Sequence, residues 1–300
     1  MNNHHNTVRM CGMMQRIAAV ILAGCLVMIS LTGCSRRETG RKHATIRAGS
    51  VRSQSQRPTE PPVPSSESAT PPTVIEFAPT ETERQPIIYD PQVPNYKGDH
   101  PEWTTLRFDW ECQDNYHTAS MDIPLDAEMY RYYRGLPRYY GIENFYLYVN
   151  DDNNRAIVRK MVDALRNVAD EYSYDDAAVA REIAKFVQDC IEYQYDIDGT
   201  GQKEYPKYPI ETIYERRGDC EDSSILMAAL LKEWGYEVGF LHLPHHVAVA
   251  IRTSNTYNAG PYYEIDGRRY LFIESTGSGW FIGDIPEDFS NTGAELHLIS

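Results

Sequence analysis

Arg217-Gly218-Asp219-Cys220-Glu221-Asp222, followed by Ser223 to Trp234, is the stretch on which the fold turns. Ile225, Leu226, Ala229 and Leu230 recur at helical spacing, and Gly235 is a natural C-terminal stop. Asp219, with Asp222 three residues on, has the pattern of a capping box, so the helix is predicted to begin at Cys220. A thiol there meets unpaired N–H groups and the positive end of the helix dipole, and both favour the thiolate. Asp219, Glu221 and Asp222 oppose this wherever their charges approach the sulfur. A positively charged partner is therefore needed.

Downstream residues supply one. Val238 to Leu243 reads as a strand, and Pro244-His245-His246 leads into a second, Val247-Ala248-Val249-Ala250-Ile251. Tyr262 to Ile265, Asp266-Gly267 and Arg268 to Glu274 read as a hairpin with Asp-Gly as its tight turn. That places the Glu274 carboxylate at a strand end. An imidazole between a thiol and a carboxylate is the general arrangement of an activated nucleophile: the base takes the thiol proton and the acid fixes the tautomer.

Gly-Asp-Cys-Glu-Asp opening an apolar helix, a His opening a strand and an acid closing the next strand resemble the transglutaminase-like superfamily. The likeness is close over about 180–285 and looser over 100–180. It implies an α+β, papain-like core in which a Cys-bearing helix packs on an antiparallel sheet carrying the His and the acid. Carried over to this chain, it makes Cys220 the nucleophile, His246 the general base and Glu274 the third member, with no cofactor and no metal. Glu274 departs from the Asp usual in the family, which puts geometry in question more than role. His245 is the alternative base, but neighbours on a strand face opposite ways, and the family's His directly precedes the apolar run. The implied chemistry is thiol-mediated acyl transfer on an amide, with hydrolysis of a protein or cell-wall peptide preferred because water needs no second binding site. Protein crosslinking and a non-catalytic envelope scaffold are the alternatives.

The flanking sequence sets the organisation. Residues 1–33 read as a lipoprotein signal peptide: Arg9 and Arg16 precede the uncharged run Ile17–Leu31, and Leu31-Thr32-Gly33-Cys34 resembles the bacterial lipobox. Cys34 would carry the lipid and hold the protein on the extracytoplasmic face of the cell membrane. Residues 34–98, rich in Ser, Thr and Pro, read as a disordered tether to a domain at 99–300. Net charge runs from +2 over 1–34 and +5 over 35–60 to −4 over 61–100 and −17 over 101–300, so the domain repels phosphate backbones and nucleic acid is excluded as its partner.

Within the domain, 106–110 and 145–149 alternate as strands, while Asp126–Tyr133, 153–168 and 175–191 read as helices. The Tyr-rich stretch Tyr130–Tyr148 reads as packing against the strands of 100–150, with a sugar- or peptide-stacking face as the other reading. Asp196-Ile197-Asp198-Gly199-Thr200-Gly201 has acids spaced as in part of a calcium loop but lacks its closing acid, so it reads as a solvated loop. Cys112 and Cys190 would either pair or remain separate thiols.

Overall fold

The computed structural model describes residues 43–47 and 98–300, apart from 257–258 and 291. The signal-peptide run, Cys34 and most of the tether lie outside the described residues. In chain order the elements are β1 (His43–Arg47), β2 (Trp103–Glu111), β3 (Thr118–Asp126), α1 (Ala127–Arg134), α2 (Phe145–Val149), α3 (Asp152–Tyr172) and α4 (Asp176–Cys190). Then come β4 (Glu192–Tyr193), α5 (Asp196–Thr200), α6 (Pro209–Glu215), β5 (Arg217–Gly218), α7 (Cys220–Trp234), β6 (Val238–Leu243), β7 (His246–Thr253), β8 (Tyr262–Ile265), β9 (Arg268–Ile273) and β10 (Ala294–Leu298). Among the described residues no helix is long and apolar enough to cross a membrane.

The six strands β1-β10-β6-β7-β9-β8 close into a barrel in that order, and β2 and β3 form a separate hairpin. Helices and antiparallel strands are segregated along the chain, an α+β arrangement. β1 falls inside the stretch expected as tether. Its five residues pair antiparallel with β10 and β8, so backbone hydrogen bonding orders this piece of an otherwise core-poor segment.

Period-two alternation places the site. Val247, Val249, Ile251, Leu271 and Ile273 join the core around α7, whereas Ala248, Ala250, Tyr270 and Phe272 fill a second core inside the barrel. α7 packs against α2, α3, α4 and α6 and against β6 and β7. Every residue from Asp222 to Leu231 is buried, so this helix is central rather than amphipathic with one stripe. Asp266 and Gly267, at φ 50° and 74°, make the two-residue turn expected between β8 and β9.

One local reading is corrected. Phe145–Val149 is helix, not strand, and buries Phe145, Tyr148 and Val149 on one face. A five-residue apolar run satisfies both periods, and the packing decides between them. The tyrosines join the core that also holds the inner residues of β2 and β3, and their ring contacts run to α6 and the residue before it. Tyr130 stacks on Tyr214 at 4.0 Å, and Tyr133 and Tyr148 meet Tyr208 at 4.7 and 4.5 Å. Cys112 and Cys190 are separate free thiols.

Candidate active site

Asp219 caps α7 by accepting from the N–H groups of Glu221 and Asp222, and Asp222 reaches back to close the capping box, so Cys220 occupies the first helical position. The cap is supported from below. Lys207 and Asp222 are both fully buried, with Nζ 3.0 Å from Oδ2, and the Lys207 N–H donates to Asp222 Oδ1 at 2.7 Å. Lys207 Nζ also donates to the Arg217 carbonyl at 3.2 Å. Gly218 is required by this packing: a Cβ there would lie 2.5 Å from Asp222 Cβ.

The segment expected as a solvated loop is the short helix α5; Ile197, Asp198 and Gly199 are exposed as expected, but Asp196 is buried and accepts from the Tyr205 N–H. Carboxylate oxygens of Asp196, Asp219 and Asp222 lie within 4.8 Å of one another. The ammonium of Lys207 supplies the balancing positive charge, and both oxygens of Asp222 are already engaged by Lys207. Burial first, then the neighbouring acids, pushes Asp196 up to about 8; burial does the same to Asp219 and Asp222, each to about 7.

On the sheet, His246 opens β7 and Glu274 follows the last residue of β9. Val249 pairs with Ile273, so extending the register sets Glu274 beside Ala248, diagonal to His246 on the same face. Across that diagonal the Glu274 side chain brings Oε2 to 2.9 Å from His246 Nε2. Its Oε1 accepts from the Thr276 N–H at 3.0 Å and the Thr276 hydroxyl at 2.7 Å, and Gln188 holds the Glu274 carbonyl at 2.8 Å. The carboxylate is thus fixed on both oxygens. Nε2 being committed, Nδ1 is the imidazole nitrogen left for chemistry. Phe289 lies parallel to the imidazole, centroids 5.2 Å apart, and shields it from water. His245 sits in the exposed turn at φ 58°, away from this arrangement.

The thiol has a different partner from the one the sequence suggests. Cys220 Sγ donates to Glu221 Oε2 at 3.0 Å and is reached by the Val247 N–H. Among the described residues no hydrogen bond joins Sγ to His246, although Val247 is the next residue along the strand. Burial, then the charge and hydrogen bond of Glu221, then Asp219, push the thiol well above its ordinary range. Burial of the sulfur and the neighbouring carboxylates both work against the thiolate that the helix start would favour. Ser224 ties α7 to the sheet, donating to the Val247 carbonyl at 3.1 Å with Ser275 Oγ at 2.9 Å. Lys207, Thr276, Gln188 and Phe289 carry no motif in the sequence. Thr276, two residues beyond the acid, is the one a local search would have reached.

Residues 163–270 match a family described as a transglutaminase-like domain. The chain carries a transglutaminase-like domain. The match takes in α4, the whole of α7 and β7, and therefore Cys220 and His246; it ends just before Glu274. No curated protein matches the chain.

Proposed function

We propose that the transglutaminase-like domain is a cysteine enzyme that transfers the acyl group of an amide. The observation that carries this is the 2.9 Å contact between His246 Nε2 and Glu274 Oε2 at the strand end that meets Cys220 on the first turn of α7. His246 Nδ1 takes the thiol proton, Cys220 attacks the amide carbonyl, and the amine leaves with a proton returned by the imidazolium. The cap engages the N–H groups of Glu221 and Asp222, which leaves the Cys220 N–H as an oxyanion donor. Water then releases the acid from the thioester. An amine acceptor in its place would give a crosslink. The substrate is a protein or cell-wall peptide, met by a domain anchored through lipid on Cys34 to the outer face of the cell membrane.

The burial of Cys220 Sγ and its contact with Glu221 Oε2 at 3.0 Å favour a second reading, a binding or scaffold domain that never uses Cys220. Labelling of the full chain with an amide-mimetic, thiol-directed probe separates the two. Labelling that is lost in Cys220→Ala and strongly reduced in His246→Ala is expected for the enzyme, and labelling indifferent to His246 would leave only the scaffold. Cys34→Ser is expected to release the folded protein from membranes, and retention would show that lipid is not the anchor.

A further inference from the structure

Glu221 faces two ways. Its carboxylate accepts the thiol of Cys220 at 3.0 Å, and its side chain also lines a cleft of about 360 Å³ beside the nucleophile. Glu143, Glu204 and Glu295 line the same cleft, and among the described residues the basic ones lining it are His242 and His297. Both histidines stand beside Glu295, at 3.9 and 3.6 Å. Glu143 and Glu204 are exposed and form no ion pair among the described residues. The cleft therefore has negative charge in excess, concentrated where walls of low dielectric focus it.

We propose that Glu221 is a latch on the nucleophile, holding Cys220 as a thiol until a positively charged group of the substrate enters the cleft and draws the carboxylate away. The inference rests on the enzyme reading above and adds to it a substrate class: an amide whose acyl portion carries an ammonium or guanidinium group within reach of the cleft. Once the carboxylate turns to that cation, the thiol loses its acceptor and its nearest negative charge together, and its proton passes to Nδ1 of His246. The latch also accounts for the absence of a Sγ–His246 hydrogen bond among the described residues. The charged and titratable groups acting on the thiol are Glu221 from α7, its cap Asp219, and Tyr193 from β4; on the sheet the Val247 N–H reaches the sulfur, and the His246–Glu274 pair begins one residue before it.

The test follows carboxamidomethylation of Cys220 by iodoacetamide in the full chain from pH 5 to 10, site-resolved by mass spectrometry. Glu221→Gln keeps the length and an acceptor but removes the charge. It is expected to react at least about tenfold faster at pH 7, because each unit by which the thiol pKa falls raises the thiolate fraction tenfold. N-acetyl-lysine methylamide is expected to accelerate wild type and leave Glu221→Gln unchanged, while the isosteric norleucine derivative does nothing to either. Coincident pH profiles for wild type and Glu221→Gln would overturn the latch. A faster variant with no lysine effect on wild type would keep the latch and overturn the cationic substrate. The wild-type lysine arm stands without any variant, and Glu221→Asp, which keeps charge at shorter reach, is expected to fall between. His246→Ala in the Glu221→Gln background tests the enzyme reading separately: an unchanged profile there removes the base and leaves the latch intact.

Discussion

Replacing Lys207 by Met removes one charge from beneath the nucleophile helix while keeping most of the side-chain volume. Lys207 and Asp222 are 1% and 0% exposed, so water screens neither. With the ammonium gone, Asp222 retains only the N–H groups of Lys207 at 2.7 Å and Asp219 at 3.4 Å. Removing one partner of a buried pair costs about 3–5 kcal/mol, because the remaining charge is left uncompensated. At roughly 2–4 °C per kcal/mol for a domain of this size, the melting midpoint falls by about 6–20 °C. The loss also depends on pH. Burial holds Asp222 up at about 7 even beside Lys207, so at pH 5 the carboxyl is protonated in both proteins and the gap is small; loss of the ammonium raises it further, so the gap widens as pH rises from 7 through 8. The assay is urea unfolding of both proteins at pH 5 and pH 8, with Lys207→Met/Asp222→Asn as the control expected to recover most of the stability. A variant within about 0.5 kcal/mol of wild type at pH 8, the range of an ordinary surface change, would refute the reasoning.

Glu274→Gln is expected to fold as wild type and to lose about a hundredfold or more in labelling or hydrolysis, since an amide neither fixes the tautomer nor balances the imidazolium; Glu274→Asp, one methylene short of its diagonal reach to His246, loses less, and wild-type activity in Gln would reduce Glu274 to a strand-end hydrogen bond. Asp196, Asp219 and Asp222 are raised to about 8, 7 and 7, so between about pH 4 and 8 the folded state holds more protons than the unfolded one. Stability from these groups is full below pH 4 and lost as pH rises through 7 to 8, so denaturant midpoints should be higher at pH 5.5 than at pH 8.5, and the opposite order would exclude the cluster as their main determinant. Gly218→Ala drives a Cβ to 2.5 Å from Asp222 Cβ and is expected to destabilise by about 1–3 kcal/mol in urea unfolding, with an unchanged midpoint showing that the cap can move aside.

What the chain determines by itself is what lies within a few residues of its cause. Asp219 caps α7 through amides two and three positions away, so the place of Cys220 at the helix start is legible without any tertiary contact. The Asp266-Gly267 turn is local in the same sense, because those residue types tolerate the two positive φ values that a tight hairpin needs. The apolar alternation after His246 marks its strand, and with it the choice of His246 over His245. Tertiary structure decides everything that depends on which charge stands nearest which atom. Glu274 meets His246, 28 residues away, through the register of β7 against β9. Lys207 meets Asp222 because both are buried under the cap, where an unpaired charge would be prohibitive. The dipole of α7 and the carboxylate of Glu221 both act on the sulfur of Cys220, and the sequence names both. Only the tertiary structure buries the sulfur and sets Glu221 Oε2 3.0 Å from it, and both raise the thiol.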